Sequence, residues 1–218
     1  MKKLKLLDLY CCAGGAGHGY SMAGFDVTGV DVEPQPKHPK HMKFVQGCAL
    51  EYLKENHHNF DVIHASPPCQ AHTKASKVAR ASGKQYECFI ERTRNLLDEI
   101  GKPYVIENVP DSPLNNPILL CGSMFGLKTY RHRLFESNLN LSAPRHPSHI
   151  AKNCKMGRPP KSGEFIQVVG HFSGVPFARE AMGISWMGQK ELAQAIPPAY
   201  TEFIGRQVMN IISEGCND

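Results

Sequence analysis

The most chemically specific stretch of the sequence is Ser66-Pro67-Pro68-Cys69-Gln70. A thiolate is a soft nucleophile that adds to electron-poor carbon. The two prolines stiffen the approach to Cys69 and stop any strand before it, because proline cannot donate to a ladder. A buried free cysteine is the plainer reading of Cys69, but it leaves the Pro-Pro-Cys-Gln run without a reason. A second constellation is Glu107-Asn108-Val109. A carboxyl in a buried place can hold its proton to a raised pH and donate it. Asn108 suits a turn equally well. A third is Arg131-His132-Arg133, where arginines alternating along a strand suit an acceptor atom or a phosphate. An exposed charge pair is the plainer alternative there. The fourth is the glycine-rich run from Asp8 to Gly15, with Asp31 following the next apolar stretch. Glycines let backbone approach a ligand closely at a strand-to-helix turn, and an acid after the second strand accepts hydrogen bonds from ribose hydroxyls. No Walker lysine motif is present, which argues against triphosphate binding.

These residues need elements to position them. Lys5 to Leu9 reads as a buried strand, followed by the glycine run and a helical pattern over Tyr20 to Ala23. Val27 to Val30 reads as a second strand ending at Asp31, and Phe44 with Val45 as a third. Leu50 to Glu55 is helical in pattern, Val62 to Ala65 is a fourth strand, Cys88 to Ile100 an amphipathic helix, and Tyr104 to Ile106 a fifth strand. Strands separated by helical stretches imply a parallel sheet with right-handed crossovers. Cys69 and Glu107 then fall at the carboxyl edge of that sheet, where such folds bind ligands. From Asn138 to Pro176 the chain turns proline-rich, and only Ile166 to Val169 reads as a strand. Arg145, Lys152, Lys155, Arg158 and Lys161 give this stretch a basic run. It reads as a substrate-facing insert or, more plainly, as a solvated loop. Ala178 to Met182 and Pro198 to Ile212 read as closing helices, the last with proline in its first turn. The implied division is a core over residues 1–137, an insert over 138–177 and C-terminal helices over 178–218.

Bulk properties set limits. The 218 residues are 41% apolar, enough for one sizeable core. The formal charge of +5 and pI of about 8.7 suit a polyanionic partner without requiring one. No apolar run is long enough to cross a bilayer. The start, MKKLKLLDLYCCAGG, imitates a signal peptide, but Asp8 breaks its apolar stretch, so it reads as a first strand of a cytoplasmic protein. The eight cysteines are expected to be free thiols, since the chain can bury a core without staples.

Taken together and in this order, the four constellations resemble the DNA cytosine C5-methyltransferase family. Asp8-Leu9-Tyr10-Cys11-Cys12-Ala13-Gly14-Gly15 is similar to its cofactor loop, Pro67-Pro68-Cys69-Gln70 to its nucleophile motif, and Glu107-Asn108-Val109 to its glutamate motif. Arg131 with Arg133 resembles its paired arginines, and Ala193-Gln194-Ala195-Ile196-Pro197-Pro198 its last motif. The sequence departs from the family at Cys12, Thr129, Cys48 and Ala193-Gln194, and its region after Arg133 is much shorter than the family's target-recognition region.

The resemblance implies an α/β, Rossmann-like, S-adenosylmethionine-dependent methyltransferase fold, a mostly parallel sheet flanked by helices with a small insert. It implies transfer of a methyl group from S-adenosylmethionine to C5 of cytosine in DNA. Cys69, Glu107, Arg131 and Arg133 would be catalytic. Tyr10, Ala13, Gly14, Gly15, Asp31, Val32, Cys48, Ala49, Ser66, Pro68, Gln194, Ala195 and Ile196 would hold the cofactor. Pro68, Asn108, Lys155, Arg158 and Lys161 would face the substrate. The expected partner is DNA, bound by a monomer with no membrane and no resident metal. Three alternatives stay open: an RNA or free-nucleotide cytosine methyltransferase, a catalytically silent nucleic-acid-binding relative, and a zinc module built on His146, His149, Cys154 and His171.

Overall fold

The computed structural model describes residues 3–68, 88–155 and 157–215. Cys69 and Gln70 lie outside the described residues. The chain begins with β1 (Lys5–Leu9), α1 (Gly15–Ala23), β2 (Asp26–Asp31), β3 (Lys43–Gln46) and α2 (Ala49–Asn56). There follow β4 (Val62–Ala65), α3 (Phe89–Ile100), β5 (Tyr104–Asn108), β6 (Ile118–Leu120) and β7 (Arg133–Ser137). Three helices close it: α4 (Val175–Met182), α5 (Gln189–Gln194) and α6 (Pro198–Gly215).

The strands form one seven-stranded sheet in the order β3-β2-β1-β4-β5-β7-β6. The neighbours from β3 through β5 run parallel, whereas β7 is antiparallel to both β5 and β6. The order reverses between β1 and β4, which opens a crevice beyond their carboxyl ends. Because β7 pairs antiparallel with Asn108 opposite Leu134, its first residue, Arg133, stands at the same edge.

Both sheet faces are covered, so the central parallel strands are mostly apolar on both sides, with Asp8 and His64 as buried polar exceptions. Leu6, Val27, Val62 and Val105 share a cluster with Tyr20 of α1 and Tyr200, Ile204 and Val208 of α6. Leu7, Leu9, Val30, Ile63 and Ile106 share another with Leu53 of α2 and Leu97 of α3.

Helix α1 begins at Gly15, ahead of the expected Tyr20. Its glycines look unfit for a helix by propensity alone, yet packing requires them. A Cβ at Gly19 would stand 2.1 Å from the Pro198 carbonyl oxygen and 2.1 Å from Thr201 Oγ1. Helices α1 and α6 therefore lie against each other at nearly backbone contact. The expected strand over Ile166 to Val169 does not form. Among the described residues of 138–174 the only ladder contact is an isolated bridge between Asn153 and Phe165. Ile166 and Val168 instead turn inward, joining Phe172, Ala178, Met182, Leu192 and Ala13 in a third apolar cluster. The insert is thus anchored by side chains rather than by a sheet. No described helix is long and apolar enough to cross a membrane.

Candidate active site

The β1–α1 connection is held in an unusual shape. Tyr10 and Cys12 adopt positive φ of 58° and 46°, and Gly14 follows at 75°. The Cys12 N–H donates to Asp31 Oδ2 at 2.9 Å, and the Glu33 N–H donates to Asp31 Oδ1 at 2.9 Å. Each oxygen of this buried carboxylate keeps a lone pair for another donor. Val32 beside it is 66% exposed, and Cys48, also exposed, caps α2 at the end of β3. Ala49 is buried beneath it. The last motif comes back to this loop. A Cβ at Gly15 would lie 2.8 Å from the Ile196 carbonyl oxygen and 3.4 Å from the Ala195 side chain. Trp186 Nε1 donates to the Ala13 carbonyl at 3.0 Å. Gln194 is exposed.

A chain of buried polar groups runs from α1 to β7. The Tyr20 hydroxyl meets His64 Nδ1 at 3.0 Å, and His64 Nε2 meets Ser66 Oγ at 2.9 Å. The Ser66 side chain bonds Glu107, and Arg133 Nε stands 3.0 Å from Glu107 Oε1. One set of protons satisfies every link: Tyr20 donates to Nδ1, Nε2–H donates to Ser66, and Ser66 donates to Glu107. That set requires a neutral imidazole. Burial pushes the His64 pKa down to about 3, which keeps it neutral. Burial raises the Glu107 carboxyl above the ordinary range, opposed by the Arg133 guanidinium. Sequence reasoning missed Tyr20 and His64. The available signal was a histidine inside the apolar run Val62-Ile63-His64-Ala65, where a polar group must find a partner.

Two further bonds tie this chain to its surroundings. Asn108 is the last residue of β5 rather than a turn residue. Its Nδ2 donates to the Pro67 carbonyl at 2.9 Å, so the start of the Pro-Pro segment is fixed to the Glu107 strand. Pro67 is buried and Pro68 exposed. The two arginines are used differently. Arg133 keeps Glu107 company and donates from Nη1 to the His132 carbonyl at 2.8 Å. Arg131 donates from Nε to Ala195 O at 2.8 Å, from Nη1 to Val168 O at 2.5 Å and from Nη2 to Ala193 O at 2.9 Å. It joins the insert, the last motif and the start of β7, and its guanidinium is spent on backbone carbonyls.

The basic run of the insert divides likewise. Lys155 and Lys161 are exposed. Arg158 makes a bidentate pair with Glu164, both contacts at 2.7 Å, and this pair holds the Glu164 carboxyl down to about 2.

The architecture is shared with methyltransferases of known structure. A candidate DNA modification methyltransferase encoded within an E. coli prophage superposes with a TM-score of 0.68 at 16% identity, covering 97% of this chain and 100% of that one. The chain has a methyltransferase fold. The S. pombe Dnmt2 methyltransferase shares it at a TM-score of 0.62 and 11% identity, covering 96% and 99% of the two chains. In sequence, 122 residues are 30% identical to the type II methyltransferase M1.HphI of Haemophilus parahaemolyticus, covering 49% of this chain and 32% of that protein. The type II methyltransferase M.FnuDI of Fusobacterium nucleatum is 30% identical over 112 residues, with the same coverage of each. The chain spans about a third of the length of these curated relatives. No protein-family profile matches it. The resemblance to DNA methyltransferases read from the motifs is borne out, and the methyltransferase fold puts the β1–α1 loop, Ser66, Glu107 and Arg133 along one carboxyl edge of its sheet.

Proposed function

We propose that the chain methylates C5 of cytosine in DNA through a covalent adduct on Cys69, with S-adenosylmethionine as methyl donor. The relay Tyr20–His64–Ser66–Glu107–Arg133, adjoining the Pro67-Pro68 segment that leads into Cys69, is the observation that carries this reading.

The residues of the loop suit the cofactor. Asp31 has acceptor capacity for ribose hydroxyls, Val32 offers an apolar surface, and His38 Nε2, near Gly14 and Gly29, is a buried polar atom without a partner among the described residues. Tyr10, Ala13, Gly14 and Gly15 would line the loop side, Cys48 and Ala49 the β3 side, and Ser66, Pro68, Gln194, Ala195 and Ile196 the rest. When bound, S-adenosylmethionine supplies an electrophilic methyl group on a sulfonium. Cytosine C5 is too poor a nucleophile to take it unaided. The Cys69 thiolate forms a bond to ring carbon C6, which moves electron density onto N3 and C5. Glu107, as the protonated acid, would donate to N3 as that charge develops, and Arg133 would balance the carboxylate that results and face O2. C5 would take the methyl group as that group's bond to sulfur breaks; loss of the C5 proton to solvent, return of the N3 proton to Glu107 and cleavage of the Sγ–C6 bond then free Cys69. Attack at C6 comes from above the ring, so a duplex cytosine must leave its stack, at a cost of a few kcal/mol. In this reading Arg131 is a positioning residue, and residues 138–177 are an insert that meets the DNA backbone.

The test is parallel incubation of the chain and labelled S-adenosylmethionine with DNA, RNA and free cytidine nucleotides, with modified bases identified by mass spectrometry. The expected product is 5-methylcytosine in DNA, lost in Cys69→Ser with the fold intact. Methylation at an exocyclic amine, or wild-type turnover by Cys69→Ser, overturns the mechanism. Product confined to RNA or free nucleotide overturns the choice of DNA.

A further inference from the structure

Cys121, His132, His146 and His149 converge at one place, each with a ligand atom within 4.8 Å of the others. Cys121 directly follows β6 and His132 directly precedes β7, whereas His146 and His149 belong to the insert. Both insert histidines are exposed, yet a ring nitrogen of each comes within 4.8 Å of a buried thiol. We propose that these four side chains form a structural zinc site that pins the insert to the catalytic core.

The spacings support it. Zinc binds imidazole nitrogen at about 2.0–2.1 Å and thiolate at about 2.3 Å in a tetrahedron, which puts neighbouring nitrogens about 3.3 Å apart and nitrogen and sulfur about 3.6 Å apart. His132 Nε2 and His146 Nε2 are 3.2 Å apart, and Cys121 Sγ and His149 Nε2 are 3.4 Å apart. Two opposite edges of the tetrahedron are thus already at length. The ring orientations are set by packing. His149 stacks on Tyr130 at 3.6 Å between centroids, and the His132 and His146 planes are within 4° of parallel. Ser123 Oγ lies 3.1 Å from Cys121 Sγ, placed to donate to a thiolate as an outer partner. Three imidazoles and one thiol select zinc over magnesium or calcium, which take oxygen donors. Without a metal, the same four groups can exchange only weak thiol contacts and a few N–H to N bonds.

The site differs from the zinc module expected from sequence. His146 and His149 take part, but Cys154 is buried in an apolar cluster and His171 is outside the group. Cys121 and His132 replace them. Its location also gives it a function, because the carbonyl of His132 accepts the bond from Arg133 Nη1. The metal would therefore steady the arginine that faces Glu107, as well as the wall of the cleft formed by Pro147, Ser148 and Ile150.

The test uses the full chain, purified without chelator, exchanged into metal-free buffer and titrated with zinc. Elemental analysis after dialysis should give one zinc per chain. The cobalt(II) form should show tetrahedral visible bands with a thiolate charge-transfer band. His146→Ala/His149→Ala, which changes only exposed side chains, should lower the retained zinc to near zero. His171→Ala should keep it, and Cys121→Ser should lose the charge-transfer band. Zinc should also slow protease cleavage within residues 138–155. No retained zinc in the wild-type chain overturns the proposal. So does zinc retained undiminished by the double variant.

Discussion

Asp8 and Glu107 are both buried carboxyls of the sheet, but only Glu107 has partners suited to chemistry. Asp8, next to last in β1, is fully buried among apolar side chains, and the Gly17 backbone N–H is the group that opposes its burial. Burial, with the negative charges of Asp31 and Glu107 behind it, pushes its pKa up to about 8 from 3.8. The folded protein therefore holds a proton that the unfolded chain releases. The stability this proton contributes is complete below the unfolded value and is lost as pH rises toward the folded one. Each unit of pKa corresponds to about 1.4 kcal/mol. Asp8→Asn keeps the shape and removes the titration. The wild-type melting temperature should fall relative to the variant between about pH 4 and about pH 8 and stay level above that. Parallel curves over that range would mean that Asp8 is ionised without penalty.

The decisive contact between elements is the approach of α1 to α6. Thr201 Oγ1 donates to the Ala16 carbonyl at 2.8 Å, and Gly19 leaves no room for a side chain. By propensity alone, Gly19→Ala should stabilise α1 by about 1 kcal/mol. We expect the opposite sign, a loss of about 1–3 kcal/mol from overpacking, read as a lower urea midpoint at unchanged slope. A raised midpoint would show that the helices can move apart freely. This contact also marks the limit of sequence reading. Strands β1 and β4 were legible to the residue, because a run buried on both faces is mostly apolar even where it carries one polar side chain. Helix α1 was cut short because its glycines serve a partner that lies far along the chain. Strand β6 and helix α5 were missed because three and six residues carry too little periodicity. In the site, Ser66, Glu107 and Arg133 were found through motifs. The bonds that unite them with Tyr20 and His64 join distant strands, and no local spacing encodes them. The different use of Arg131 was hidden for the same reason, since its three acceptors belong to two remote segments.

Across the whole molecule, the insert presents exposed positive charge at Lys155 and Lys161. Arg158 is occupied by Glu164, so Lys155 and Lys161 are the better candidates for phosphates. Phosphate contacts release counterions. Replacing both lysines with Ala should weaken binding to every DNA sequence alike and lower the slope of log affinity against log salt by about 2. A loss confined to one short sequence would instead indicate base reading. The bond from the indole of Trp186 to the Ala13 carbonyl has an optical consequence. The chain has one tryptophan, and it sits on the loop that the cofactor is proposed to occupy, with the His18 ring edge-on to it at 4.8 Å. All indole emission therefore originates beside that loop. Titration with S-adenosylmethionine should change the emission to a plateau, and Trp186→Phe should abolish the signal. Cofactor affinity then becomes measurable by unlabelled fluorescence, without DNA and without turnover.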